Sequence, residues 1–206
     1  MRVDTREAIR EIDPLELQAG RPVELNGVPG MGLTRLGYRM LAAPARISPV
    51  VVVDHRGWAS PLAAWEAGID RDKLVFVRCG DSGPWAQVVA SLVDGAGAVM
   101  AEVPRNARDK DLRRLTALSR SRSAHLIFRT VGDILPQGVV HLRLRAVRVS
   151  WEGTERGHGR LTRRKLLLEA SGKGVGGMTR RVEVEDVGTL RVVSELVAPP
   201  SRRAVG

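Results

Sequence analysis

Gly27-Val-Pro-Gly-Met-Gly-Leu33-Thr34 has the glycine spacing of a phosphate-binding loop, G-x-x-x-x-G-K-[ST], with leucine at the lysine position. Such a loop follows a strand and opens a helix, so that backbone N–H groups wrap an anion at the helix N-terminus. Both flanks fit. Pro22 to Asn26 alternates as a strand, and Leu33, Leu36, Gly37, Met40 and Leu41 share one helical face. Without lysine the loop lacks the cation that reaches the outer phosphates. No cofactor is therefore expected, and weak binding of ATP with magnesium is the most that Gly27, Gly30, Gly32, Leu33 and Thr34 would support. The plainer reading of the three glycines is a tight strand-to-helix turn.

Outward from the loop, strands alternate with helices. Val50 to Val53, Leu74 to Val77, Ala98 to Ala101 and His125 to Phe128 read as continuous apolar strands. Pro61 to Ala67, Trp85 to Leu92 and Asp109 to Ser121 read as the helices between them. Uninterrupted apolar strands joined by helices imply an α/β fold with a parallel sheet covered on both faces. After Pro136 the pattern changes. Val139 to Trp151, Leu161 to Ala170, Arg180 to Glu185 and Thr189 to Ser194 read as antiparallel strands with one buried face. The expected organisation is a helical appendage over 1–19, with its helix over 5–19, a core domain over 20–195, and a disordered basic tail over 196–206.

The chain of 206 residues is 43% hydrophobic and only 3% aromatic, which implies an aliphatic core. One cysteine, Cys79, rules out an internal disulfide framework, and four scattered histidines give no zinc spacing. No apolar run is long enough to span a bilayer, and Met1 to Glu7 lacks a signal peptide's apolar centre, so a cytoplasmic protein without membrane contact is expected. The net charge of +10 makes DNA a candidate partner. Two segments carry the excess: Arg105 to Arg122 holds seven basic and two acidic residues, and Arg148 to Arg181 nine and three. Each is either a solvated face or a binding surface. Arg113, Arg114, Arg120, Arg122, Arg163, Arg164 and Lys165 are the candidate phosphate or partner contacts.

Several motifs bear a resemblance to a known family. Val53-Asp54-His55-Arg56-Gly57-Trp58-Ala59-Ser60-Pro61, followed by Ala64 to Leu74, is similar to the third-strand motif of the RecA recombinase core. Leu126-Ile127-Phe128 and Leu142 to Glu152 resemble later RecA strands, so the resemblance covers roughly residues 20 to 185. It implies a RecA-like P-loop NTPase core with an antiparallel C-terminal extension. The catalytic groups do not carry over. The RecA lysine falls at Leu33, and the water-activating glutamate falls at Arg56, whose guanidinium cannot act as a base near neutral pH. The sensor glutamine falls at Val131, the second DNA loop is reduced to Gly132 to Gly138, and the paired lysines that reach a neighbouring subunit fall near Leu168 and Ala170. Glu102 stands at the Walker B position. It would either hold magnesium through water or serve as a strand-end carboxylate, the second being the plainer reading.

The phrase from Val51 to Leu74, with Trp65 before Glu66-Ala67-Gly68, resembles the degenerate SulA/ImuA branch of this superfamily, including the actinobacterial ImuA-prime proteins, more closely than RecA itself. That resemblance implies a pseudo-ATPase adaptor in damage-induced mutagenesis. The implied partners are an ImuB-like Y-family polymerase homologue, an error-prone C-family polymerase, and RecA. A sequence-independent DNA-binding module and a SulA-like division inhibitor are the alternatives. Three local features carry less. Asp54 and His55 are strand neighbours facing opposite ways, Cys79 has no base beside it in sequence, and Ser171 to Gly177 reads as a flexible hairpin loop.

Overall fold

Four consecutive valines leave a strand no polar face, so β2 (Val50–Asp54) must be covered on both sides, and all five of its residues are buried. The computed structural model describes residues 15–197 apart from 82, 156–157 and 188–189. The expected helix lies outside the described residues over 5–14, and the tail does so over 198–206. Residues 15–19 are turn and coil, with Leu15 and Leu17 in the core.

β2 is flanked by β3 (Leu74–Arg78) and β4 (Ala98–Glu102), and β4 by β5 (His125–Thr130), all parallel. β1 (Val23–Asn26) lies between β5 and β6 (Leu142–Glu155), parallel to both. Beyond β6 come β7 (His158–Ser171), β8 (Arg180–Asp186) and β9 (Leu190–Val197), each antiparallel to its predecessor. The result is one nine-stranded sheet in the order β3-β2-β4-β5-β1-β6-β7-β8-β9. The α/β class with antiparallel C-terminal strands is as expected, but β6 differs from the purely antiparallel reading. Its first four paired residues, Leu142 to Arg145, run parallel to β1 before the strand continues against β7. The joint arises because residues 131–141 return from the end of β5 to the opposite end of the sheet without a helix. Leu135 and Val139 are buried along that path.

Helices cover both faces of the parallel part. α1 (Leu33–Ala45) and α2 (Pro61–Glu66) pack Leu36, Met40 and Ala64 against Val50 and Val52. On the other face α3 (Trp85–Gly95) and α4 (Asp109–Ser121) pack Val89, Val93, Leu112 and Leu115 against Val53, Val99, Leu126 and Phe128. α2 starts where Ser60 accepts a hydrogen bond from the Ala63 N–H at 3.4 Å and Pro61 fills the first helical position. α1 lies so close to the sheet that a Cβ on Gly37 would stand 2.3 Å from Met100 Sδ.

In the extension, Leu144, Leu166, Leu168, Val182 and Val184 bury one face. The other carries a cross-strand charge lattice: Arg145–Glu169 at 3.2 Å, Lys165–Glu152 at 3.0 Å, and Arg163–Glu185 at 3.2 Å. The arginines alternating with aliphatics thus belong to a half-buried sheet. The hairpin over 171–177 is less free than expected, since Gly174 N–H donates to the His141 carbonyl at 2.9 Å and Gly174 and Val175 are buried. Among the described residues, no helix is long and apolar enough to cross a membrane.

Candidate functional site

In open parallel sheets, ligands bind in the crevice outside the carboxyl ends of the strands. Here the ends of β1, β2, β4 and β5 border a cleft of about 220 Å³ whose lining includes Gly30, Thr34, Asp54, Trp58, Glu102 and Arg129. Gly30 and Gly32 have φ of 86° and 74°, a left-handed conformation that lets the chain turn sharply into α1. Gly32 caps α1 without a side-chain hydrogen bond. The first-turn N–H groups are the anion-binding potential of the turn. Leu33, at the position read as a lost lysine, is 1% exposed, and its Cδ1 lies 2.8 Å from where a Cβ on Gly27 would stand. Thr34 is half-buried at the cleft wall.

The cleft floor is charged but internally paired. Glu102 Oε2 accepts from the backbone N–H groups of His55 at 3.0 Å and Arg56 at 2.9 Å, while Oε1 pairs with the Arg56 guanidinium. Both groups read from sequence as degenerate catalytic positions therefore bind each other. Arg56 also lies over the Trp58 ring, 5.4 Å from its centroid. A second guanidinium was not read from sequence. Arg129 on β5 is buried and donates to the Gly27 carbonyl at 3.2 and 3.3 Å, to that of Leu25 at 3.4 Å, and to that of Thr130. Burial lowers it to about 10, with the Glu102 charge acting upward and Arg56 downward. Its Nε–H has no partner among the described residues. The available signal was an arginine directly after the apolar run Leu126-Ile127-Phe128.

Asp54 organises the next turn. Its Oδ1 accepts from Gly57 N–H at 2.8 Å and Trp58 N–H at 3.1 Å, and its Oδ2 from Ala59 N–H at 3.2 Å and Arg78 at 3.4 Å. His55 faces away, donating from Nδ1 to the Cys79 carbonyl at 2.9 Å with Nε2 3.1 Å from Asp81. No Asp54–His55 dyad forms. Cys79 is buried. Chemically, the cleft offers backbone N–H groups and paired guanidinium groups; its carboxylates are committed to hydrogen bonds.

The seven basic candidates do not form one surface. Arg113, Arg114 and Arg120 are exposed on α4 and have no carboxylate partner among the described residues, whereas Arg122 pairs with Asp94 at 2.6 Å. Arg163 and Lys165 lie in the charge lattice of the extension. Arg164 points to the opposite, buried face, where it bonds Asp186 at 2.7 Å and lies 5.4 Å from the Trp151 centroid. Its Nη1 would be 2.2 Å from a Cβ on Gly32, so the extension packs directly on the glycine turn.

A family model described as the MT3502 N-terminal domain matches residues 15–134. The matched span holds the glycine turn, Arg56, Glu102 and Arg129, and ends before β6. No curated protein matches the chain.

Proposed function

The chain belongs to the MT3502 N-terminal domain family, and from the geometry of its glycine turn and strand ends, together with the sequence resemblance, we propose that it is a RecA-like pseudo-ATPase serving as an interaction adaptor in DNA-damage-induced mutagenesis. The observation that carries the non-catalytic reading is the Glu102–Arg56 clamp. A carboxylate that accepts two backbone N–H groups and a guanidinium has little remaining capacity to hold a hydrated cation or take a proton from water. Leu33 buried against Gly27 supports the same reading, because the turn is closed by packing. The partners of such an adaptor would be an ImuB-like polymerase homologue and a C-family polymerase, engaged through exposed basic surface.

Three measurements test this. Calorimetric titration with ATP and magnesium is expected to show no binding in the micromolar range, and phosphate release no turnover; turnover abolished by Glu102→Gln would sink the pseudo-ATPase reading. Co-purification from DNA-damaged cells, followed by mass spectrometry, is expected to recover a polymerase. Recovery of a tubulin-like division protein in its place would shift the function to division inhibition.

The exposed arginines of α4 favour one second reading, a sequence-independent DNA-binding module. Counterion release would then make affinity fall steeply with salt. Affinity that does not change with salt would remove it.

A further inference from the structure

At the end of the sheet opposite the cleft, four basic side chains from distant parts of the sequence are brought together by backbone contacts. His141 N–H donates to the Pro22 carbonyl at 2.8 Å, which fixes it beside Arg21. Gly20 lies against the α4 terminus, where its Cβ would stand 3.4 Å from Arg120 Cα. Lys173 follows Gly172, whose Cβ would meet the His141 carbonyl at 2.6 Å, and precedes Gly174, whose Cβ would stand 3.2 Å from the His141 ring. Arg21, Arg120 and Lys173 are exposed, and none has a carboxylate partner among the described residues; Arg21 donates only to the Gln18 amide oxygen, at 2.7 Å. Burial, reinforced by the charges of Arg21, Arg120 and Lys173, holds the His141 imidazole below its usual value, as expected when like charges converge.

This concentration contrasts with the rest of the sheet surface. The extension pairs Arg145, Arg163, Lys165 and Arg191 with carboxylates across its strands, yet three cations here converge on one imidazole, and none of them has a carboxylate partner among the described residues. Just after the turn that carries Lys173, Met178 donates its N–H to the Val175 carbonyl at 3.3 Å and is 49% exposed. A polarisable, adaptable side chain next to unpaired cations suits a peptide that presents carboxylates and an aliphatic anchor. Nucleic acid is less well served, because no tryptophan, tyrosine or phenylalanine belongs to the cluster to stack a base.

We propose that Arg21, Arg120, His141 and Lys173, with Met178, form a docking site for an acidic peptide segment of a partner protein. The proposal rests on the adaptor reading and names the surface through which the adaptor would work. It is tested by fluorescence anisotropy of the full chain with a labelled twelve-residue peptide of alternating Glu and Asp around a central Leu, against the same peptide with Gln and Asn in place of the acids. The wild type is expected to bind the acidic peptide and not the neutral one. The triple variant Arg21→Gln, Arg120→Gln, Lys173→Gln should lose about ten-fold in affinity, and Met178→Ala about three-fold. A control triple with the same change in net charge at exposed positions outside the cluster, Arg71→Gln, Arg105→Gln, Lys110→Gln, should change affinity by less than about two-fold. Equal losses in both triples would mean that bulk charge alone is at work, and no loss in the first would remove the site. Either result overturns the proposal, as does tighter binding of a single-stranded DNA of equal charge through the same residues. If the triple fails to fold, Lys173→Glu on the exposed turn replaces it, with the same expected loss. Because this assay uses a synthetic peptide and the adaptor reading is tested by co-purification, failure of one is distinguishable from failure of the other.

Discussion

Leu33 shows how a single position can carry two constraints. As the first residue of α1 it is where a phosphate-binding lysine would stand, and as a core residue 1% exposed it packs on Gly27. Leu33→Lys is therefore expected to destabilise the fold by roughly 2–5 kcal/mol, read as a lower denaturation midpoint, without generating nucleotide binding. Tyr38, the chain's one tyrosine, offers a cleaner probe. Fully buried in α1, its phenol is pushed up to about 12, first by burial and also by the Asp54 charge, against a lowering contribution from the Ser60 backbone. The folded pKa lies above the ordinary value of 10. The associated stability is thus fully present below pH 10 and is lost as pH rises through about 12. Tyrosinate absorbance should titrate near 12 in the native chain and near 10 in denaturant, and Tyr38→Phe should flatten the alkaline loss of stability. Ionisation near 10 in the native chain would contradict the burial. Leu33 and Arg56 were legible as departures from a motif, since a pattern names its own missing residues. Arg129 and Arg164 were not. One reaches across from β5 to the carbonyls after β1 and the other folds back from β7 onto Gly32, and sequence alone does not specify such long-range approaches.

Among the elements, the segment after β5 depends most on contacts distant in sequence. Glu24, buried in β1, accepts from Thr130 Oγ1 at 2.9 Å, Leu135 N–H at 2.9 Å and Arg143 Nε at 2.5 Å. Asn26 Nδ2 donates to Thr130 Oγ1 at 2.9 Å and to the carbonyls of Gly132 at 3.2 Å and Asp133 at 3.0 Å. Two polar side chains of a four-residue strand therefore hold the start of the crossover to β6. Replacing Glu24 by Gln leaves Arg143 without its counter-charge in a mostly buried position, which should cost about 3 kcal/mol. Hydrogen exchange at the Leu135 amide should accelerate more than exchange in α3. A uniform change would show that the loop is held by other means. The helices and parallel strands were legible because their periodicity is local, with α4 matching its expected span of Asp109 to Ser121. The parallel start of β6 was not, because alternation reveals which face is buried and says nothing about the direction of a neighbour.

On the scale of the whole molecule, the class was readable from the change between continuous apolar strands and alternating ones, while the single unbroken sheet was not. Its centre is β1, hydrogen-bonded on one side to β5 and on the other to β6. The family match ends at residue 134, before β6 begins. A fragment cut to 15–134 would bare one whole edge of β1, and with it the inner apolar face against which Leu142, Leu144, Leu166 and Leu168 pack. Expressed alone it should aggregate, whereas 15–197 should stay monodisperse by light scattering; a soluble, cooperatively melting 15–134 would show the opposite. The border of the matched segment is thus not a seam in the protein. Recombination at that border would have to bring a replacement for β6 with it, so the ribbon is inherited together with the domain it completes, or the domain is lost.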